Sequence, residues 1–261
     1  RISARSSSSR RPTRSSAVRT PARCISYGVS ASADVRVSDI GFYELGGKIA
    51  GMRSSVQFVS ERVNLVVKGS VGATQLQSSA AALATALALD ISLPEALTAL
   101  ESYEPPPGRG RLLAGKNDSI IIDDSYNSSP AAVEEALATL KAFPNAKRRI
   151  AVLGDMLELG RYSSMEHARI GALANDSADV IAAVGVRSRV FATAAKDSEV
   201  MLFDNARAAA LALADFVRAG DVILVKGSQS IRTERIVKAL LADPSDAVRL
   251  VRQERAWKRK A

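Results

Sequence analysis

Ser119-Ile120-Ile121-Ile122-Asp123-Asp124-Ser125-Tyr126-Asn127-Ser128-Ser129-Pro130 is the stretch around which this chain is organised. Its three β-branched residues predict a short strand covered on both faces. Two carboxylates close the strand and a polar turn follows. Ser129-Pro130 then reads as an N-cap with proline at the first helical position. Beyond it, Val133, Leu137 and Leu140 fall on one helical face, with Glu134 and Glu135 near the positive end of the helix. Strand, acidic turn and helix make half of the repeating unit of an open α/β sheet. Such sheets bind ligands at the carboxyl ends of their strands.

Outward from this stretch the same alternation continues. Strands are expected at Ile120–Asp123, Arg149–Gly154, Val180–Gly185, Val200–Phe203 and Val222–Lys226. Helices are expected at 130–142, 164–174, 187–195, 206–218 and 232–241. Alternation at this spacing implies right-handed crossovers and a mainly parallel sheet, with Arg111–Gly115 as an edge strand. Upstream, Pro105-Pro106-Pro107-Gly108 breaks regular structure and predicts a domain boundary. Before it, β-type runs at Cys24–Tyr27, Val35–Phe42, Ser55–Val59 and Arg62–Lys68 suggest a small, mostly antiparallel piece of sheet. Helices are expected at Gly72–Leu89 and Leu93–Leu100, the second capped by Ser92.

Asp123-Asp124, Gly154-Asp155, Gly185, Asp204 and Lys226-Gly227-Ser228 all fall where a strand gives way to a loop, so a doubly wound sheet would bring them to one rim. Each alone is ordinary turn chemistry. Together, and with the cation Lys226 opposite acidic turns, they suit an anionic or zwitterionic ligand.

Asp123-Asp124-Ser125-Tyr126-Asn127 also resembles the hallmark of the Mur ligases, in their F-type branch. Three further matches follow in that family's order: Gly108-Arg109, then Val152–Gly160 with His167 and Gly171, then Val225-Lys226-Gly227-Ser228. The likeness runs from about Cys24 to about Leu241 and is strongest after Pro107. It implies an α/β chain whose C-terminal body is a Rossmann-like, mainly parallel doubly wound sheet, preceded by the remnant of a second α/β (central) domain. The implied layout is a disordered basic segment at 1–24, a partial central domain at 25–107, the C-terminal domain at 108–245 and a basic tail at 246–261.

The family joins D-alanyl-D-alanine to UDP-N-acetylmuramoyl-tripeptide with ATP and Mg2+, through an acyl phosphate that the dipeptide amine attacks. By resemblance Arg109, Asp124, Tyr126 and Asn127 would bind the nucleotide: the guanidinium at the phosphates, Asp124 at the ribose, and Tyr126 and Asn127 beside the base or ribose. Asp155, Glu158, Lys226 and Ser228 would lie near the incoming dipeptide. No catalytic residue is assigned, and His167 is expected to pack rather than react.

This chain departs from the family pattern in lacking a G-x-x-x-x-G-K-[ST] phosphate loop. Gly46-Gly47-Lys48 comes nearest, but Ile49 follows the lysine and Phe42 precedes. The central-domain metal ligands are not matched, Thr74-Gln75 stands where many members have His-Asn, and Ser129 where many have Asn. The chain alone is therefore expected to be inactive. A non-catalytic nucleotide- or peptide-binding remnant, or another step of the same ligase series, are the alternatives.

Composition narrows the rest. The single cysteine, Cys24, excludes an internal disulfide framework and fits a reducing cytoplasm. No apolar run approaches the roughly 20 residues that span a bilayer. The net charge of +9 is uneven: residues 1–24 hold seven arginines and no acid, and residues 249–261 hold six basic residues against Glu254, so the body between them is mildly acidic. Solvated basic ends, a monomer and no nucleic-acid partner are the expectation. The acid-poor start is similar in composition to a transit peptide but lacks an amphipathic pattern, and a fragmentary gene start fits it equally.

Overall fold

The computed structural model describes the backbone of residues 3–7 and residues 24–258, with two compact units, Arg1–Glu104 and Pro105–Ala261. In the first unit, strands β1 (Ser3–Ser7), β2 (Cys24–Gly28), β3 (Val35–Leu45), β4 (Lys48–Phe58) and β5 (Glu61–Lys68) form one sheet in sequential order. Two helices, α1 (Ala73–Ala88) and α2 (Leu93–Glu101), follow. Leu76, Ala80, Leu83 and Ala84 of α1 are buried, as are Val35, Val37, Met52, Val56, Leu65 and Val67 of the strands. Ser92 caps α2, its hydroxyl accepting the Glu95 N–H at 3.4 Å.

This sheet differs from the sequence expectation in two ways. Pairing is antiparallel only at β3–β4 and β4–β5, while β1–β2 and β2–β3 are parallel. Ser55–Val59 is not a strand of its own but the end of the eleven-residue β4. Gly46-Gly47, the nearest approach to a phosphate loop, is the two-residue turn of the β3–β4 hairpin, with Leu45 paired to Lys48 and φ of 60° and 75° at the glycines. Two consecutive left-handed residues are what such a turn requires, which is why glycine stands at both. Within the segment expected to be disordered, Ser3–Ser7 forms β1 and Cys24 opens β2; residues 8–23 lie outside the described ones.

The second unit runs β6 (Arg111–Gly115), β7 (Ser119–Asp124), α3 (Pro130–Ala142), β8 (Arg148–Gly154), α4 (Ser163–Asn175), β9 (Val180–Val184), α5 (Phe191–Ala194), β10 (Glu199–Phe203), α6 (Ala206–Phe216), β11 (Asp221–Lys226), α7 (Glu234–Leu240) and α8 (Arg255–Lys258). The strand order is β10-β9-β8-β11-β7-β6, parallel throughout except for the antiparallel edge strand β6. The last strand in sequence is thus inserted between the second and third. Residues 187–195, expected as a full helix, form a 3-10 turn and the four-residue α5.

The core explains the legibility of these strands. Ile121, Ile150, Val152, Val180, Ala182, Val184, Ile223 and Val225 pack with Ala209, Leu213, Ile236, Val237 and Leu240 of α6 and α7. The alternate residues Ile122, Ala151, Leu153, Ile181, Ala183, Val222 and Leu224 are equally buried on the opposite face. Burial on both faces removes the polar alternation and leaves continuous apolar runs.

The expected solvated tail at 246–261 is corrected. Leu250, Val251 and Arg252 are buried, and the Arg111 guanidinium donates to the Arg249 carbonyl at 3.3 Å. Within the segment Arg252 itself donates to the Ser125 carbonyl and to Glu234, so its charge is met internally, while residues 259–261 lie outside the described ones.

One turn carries strain open to test. Val59, between β4 and β5, sits at φ 54° and is 77% exposed. A β-branched residue is poorly suited to that region, at a cost of roughly 1–2 kcal/mol. Val59→Asn is expected to stabilise the β4–β5 hairpin by about 1 kcal/mol, read as a higher urea midpoint; a lower midpoint would mean that the valine side chain contributes packing worth more than the strain.

Candidate functional site

The site grows from the register of three strands. Lys226 is paired with Asp124 on one side of β11 and with Leu153 on the other, so the carboxyl ends of β7, β11 and β8 are level. Asp124 and Lys226 project from the same face. The Lys226 ammonium donates to Asp124 Oδ2 at 2.5 Å and to the Asn127 carbonyl at 3.0 Å. Lys226 is 3% exposed and Asp124 19%. Burial pushes the Asp124 carboxyl up, against the opposing pull of Lys226 and Arg109.

Asp123 points the other way and is fully buried. Its Oδ1 accepts the Ser125 hydroxyl at 2.5 Å and the Ser125 N–H at 3.2 Å, while Oδ2 has no partner. Desolvation raises this carboxyl to about 6, the two Ser125 bonds only partly offsetting it. The pair of adjacent aspartates therefore divides its work: Asp124 meets the cation, and Asp123 shapes the turn.

On the outer side of the turn, the Arg109 guanidinium lies over the Tyr126 ring, 4.1 Å from its centroid. The Tyr126 N–H donates to the Gly108 carbonyl at 3.2 Å. Gly108 adopts φ 68°, and a Cβ there would stand 2.9 Å from the Tyr126 nitrogen, so the close approach depends on glycine. Arg109, Asp124 and Tyr126 thus present a cation, a carboxylate and an aromatic ring together.

A cleft of about 660 Å³ adjoins them, lined among others by Asn127, Ser128, Glu158, Ser228, Arg232 and Trp257. The Ser128 hydroxyl is buried without a partner. Ser129 occupies the cap position of α3, yet its side chain makes no cap bond, contrary to the sequence expectation. Glu158 is exposed at φ 63°. The Ser228 hydroxyl accepts the Leu157 N–H at 2.8 Å, and the Ser228 N–H donates to the Asp155 carbonyl at 3.1 Å, tying the loop after β8 to the end of β11.

Two expected substrate residues are held inside the protein. Lys226 uses two of its three donors on Asp124 and Asn127. Asp155 is 3% exposed; its Oδ1 accepts the Ser188 N–H at 2.8 Å and its Oδ2 stands 3.7 Å from Arg187. A Cβ on Gly185 would fall 2.6 Å from that carboxylate, so the glycine makes room for it. His167 is buried and structural: Nε2 accepts the Met156 N–H at 3.0 Å, and Nδ1 donates to the Ser163 carbonyl at 2.7 Å, which assigns the ring proton to Nδ1.

Sequence reading missed Arg232, Arg252 and Trp257. Arg232 and Arg252 both pair with buried Glu234, at 2.6 and 3.2 Å, and Arg252 donates to the carbonyls of Ser125 and Tyr126. The available signal was the apolar pair Leu250-Val251 and the chain's single tryptophan inside a segment otherwise read as basic tail.

The raised Asp123 carboxyl fixes a pH dependence. Its folded value of about 6 lies above its ordinary 3.8, so the folded state binds the proton more tightly. The associated stability is full below about pH 4 and is lost as pH rises through about 6, on the order of 3 kcal/mol. Asp123→Asn is expected to remove that slope. Urea midpoints of both proteins from pH 4 to 7 check it, and parallel curves would show that Asp123 is ionised throughout.

Residues 108–229 match the family described as Mur ligase, glutamate ligase domain. Over 218 residues the chain is 30% identical to the UDP-N-acetylmuramoyl-tripeptide–D-alanyl-D-alanine ligase of Synechocystis, covering 78% of this chain and 45% of that protein. The Escherichia coli enzyme of the same name is 29% identical over 170 residues, 65% of this chain and 37% of that one. Among solved structures, the MurF ligase of Thermotoga maritima, crystallised in complex with ADP, superposes with a TM-score of 0.71 at 26% identity, covering 83% of this chain and 48% of its own. This chain spans less than half the length of these relatives. With that fold, those strand-end residues and these likenesses, residues 108–229 form a domain of the Mur ligase family, and the chain resembles the C-terminal part of the F-type enzymes.

Proposed function

We propose that this chain is the C-terminal, nucleotide- and amine-binding part of an ATP-dependent amide-bond ligase that adds D-alanyl-D-alanine to UDP-N-acetylmuramoyl-tripeptide. The observation that carries this reading is the Lys226 ammonium bridging Asp124 and the Asn127 carbonyl, because it joins a nucleotide-type surface to a polar cleft. On the first, Arg109 offers a guanidinium to phosphate oxygens, Asp124 an acceptor to ribose hydroxyls, and Tyr126 with Asn127 a flank for the base. In the second, the exposed Glu158 carboxylate suits the dipeptide ammonium. Ser228 orients the adjoining loop, and Lys226 and Asp155 act on the shape of the site from within.

The nucleotide fits these residues, and Mg2+ would arrive with its phosphates rather than in a cage of protein ligands. Among the described residues no group of three or more His, Cys, Asp or Glu side chains comes together to hold a metal. No step is therefore assigned to the metal through this chain. In this reading the residues bind and orient ATP and the amine, and the phosphoryl chemistry belongs to parts that this sequence does not match.

The activity of the whole ligase, a cytoplasmic location and a monomeric state are part of the same proposal. Among the described residues no helix is long and apolar enough to cross a membrane. A second reading, a nucleotide- or peptide-binding module without turnover, is favoured by the missing phosphate-loop motif.

Two measurements test the proposal. Trp257 is the only tryptophan and lines the cleft, so its fluorescence is expected to change saturably with D-alanyl-D-alanine. Glu158→Gln should weaken that response about 10-fold, the scale of one charge-assisted bond. An unchanged titration curve in the variant would remove Glu158 from the amine site. The chain alone is expected to release no phosphate from ATP, since charge stabilisation at the transferring group typically contributes roughly 10³-fold or more. Phosphate release abolished by Asp124→Ala would show that the chain carries the chemistry itself.

A further inference from the structure

The loop from Asp124 to Asn127 is held from two directions. From the sheet, Lys226 bonds the Asp124 carboxylate and the Asn127 carbonyl. From the C-terminal segment, Arg252 Nη1 donates to the Ser125 carbonyl at 3.1 Å and Nη2 donates to the Tyr126 carbonyl. The two bonds grip the backbone between the residues that carry the nucleotide reading, and the Arg252 guanidinium lies 5.8 Å from the Tyr126 ring centroid.

This arginine is itself anchored. Its Nη1 pairs with Glu234 Oε2 at 3.2 Å, and the other oxygen of Glu234 takes Arg232 Nε at 2.6 Å. Glu234 is 2% exposed, Arg252 7% and Arg232 7%. Both arginines adopt left-handed backbone, φ 59° and 64°, a region disfavoured for any residue with a Cβ. Buried charges and left-handed arginines on both sides of one carboxylate are costly features, and such features concentrate where geometry serves a site.

We propose that Arg252 is a positioning residue for the nucleotide-binding loop: it orients the Ser125 and Tyr126 carbonyls and thereby sets Tyr126 under Arg109 and Asp124 beside Lys226. This rests on the reading of that loop as the nucleotide site. The alternative is that Arg252 merely fastens the chain end to the domain. A planar fork reaching two carbonyls and a carboxylate together is beyond a single ammonium, so Arg252→Lys should behave much like Arg252→Met.

The matched control is Arg148→Met. Arg148 opens β8 and Asp221 opens β11; they form a partly buried bidentate pair at the opposite ends of the strands, with bonds of 3.0 and 2.7 Å. ADP with Mg2+ is titrated into the 261-residue chain and into each variant, at a temperature where all remain folded by circular dichroism. Exchange of the Tyr126 amide is followed in parallel. Arg252→Met and Arg252→Lys are expected to weaken ADP binding about 10-fold or more and to speed Tyr126 exchange, while Arg148→Met lowers the melting temperature and leaves both unchanged. Equal ADP affinity in Arg252→Met and the unsubstituted chain, or an equal loss in Arg148→Met, overturns the positioning role. No ADP binding by the unsubstituted chain, at millimolar nucleotide, overturns the nucleotide reading and this proposal with it.

Discussion

The ion pair between Lys226 and Asp124 is the constraint on which the second unit turns. It joins the last strand to the first parallel one, across a sequence separation that every intervening strand and helix must span before the pair can form. Its position depends on the register that sets Lys226 opposite Asp124. A slip of one residue would send the ammonium to the other face of the sheet, toward α6 and α7 and the buried carboxyl of Asp123. Burial of such a pair is weak evidence for stability, because desolvation takes back much of the attraction. What the pair does provide is a unique geometry. Removing either partner would leave a buried charge uncompensated, at about 3–5 kcal/mol, so the fold tolerates few alternatives to this register.

How much of this was legible follows from what one dimension can encode. The parallel strands read clearly because burial on both faces leaves uninterrupted apolar runs such as Val180–Val184 and Val222–Val225. The shared rim of a doubly wound sheet was enough to expect Asp124 and Lys226 near one another, as their ion pair now shows, whereas Tyr126 and Asn127 were singled out only by the family resemblance. The basic C-terminal segment was misread for an equally physical reason. Net charge cannot show that a helix elsewhere supplies Glu234, or that two loop carbonyls face the guanidinium.

Asp155 shows a further limit. Its place one residue beyond β8 put it on the rim, yet a side chain at that position can turn outward or inward. Here the Ser188 N–H, the Arg187 guanidinium and the space left by Gly185 draw the carboxylate inward. It thereby fastens the loop after β9 to the end of β8, and the Asp155 carbonyl accepts from Ser228 on β11's loop. The residue that the resemblance set near the dipeptide is also a joint between three loops. The exposed Glu158, three residues later and in left-handed backbone, is the acid left facing the cleft.

These joints bear on how the site can act. Lys226, Asp155, Ser228 and His167 each tie one strand-end loop to another or to a helix, so the rim has few independent parts. A ligand bound at Asp124 and Tyr126 and another bound at Glu158 would share a frame that fixes their separation. Fixed separation is what a two-substrate condensation needs, since positioning reacting groups recovers much of the entropy of bringing them together. In the proposed reading this rigid frame serves to orient a nucleotide and an amine relative to each other. In the proposed ligase orientation and activation are separable, and we place the features of this chain on the side of orientation.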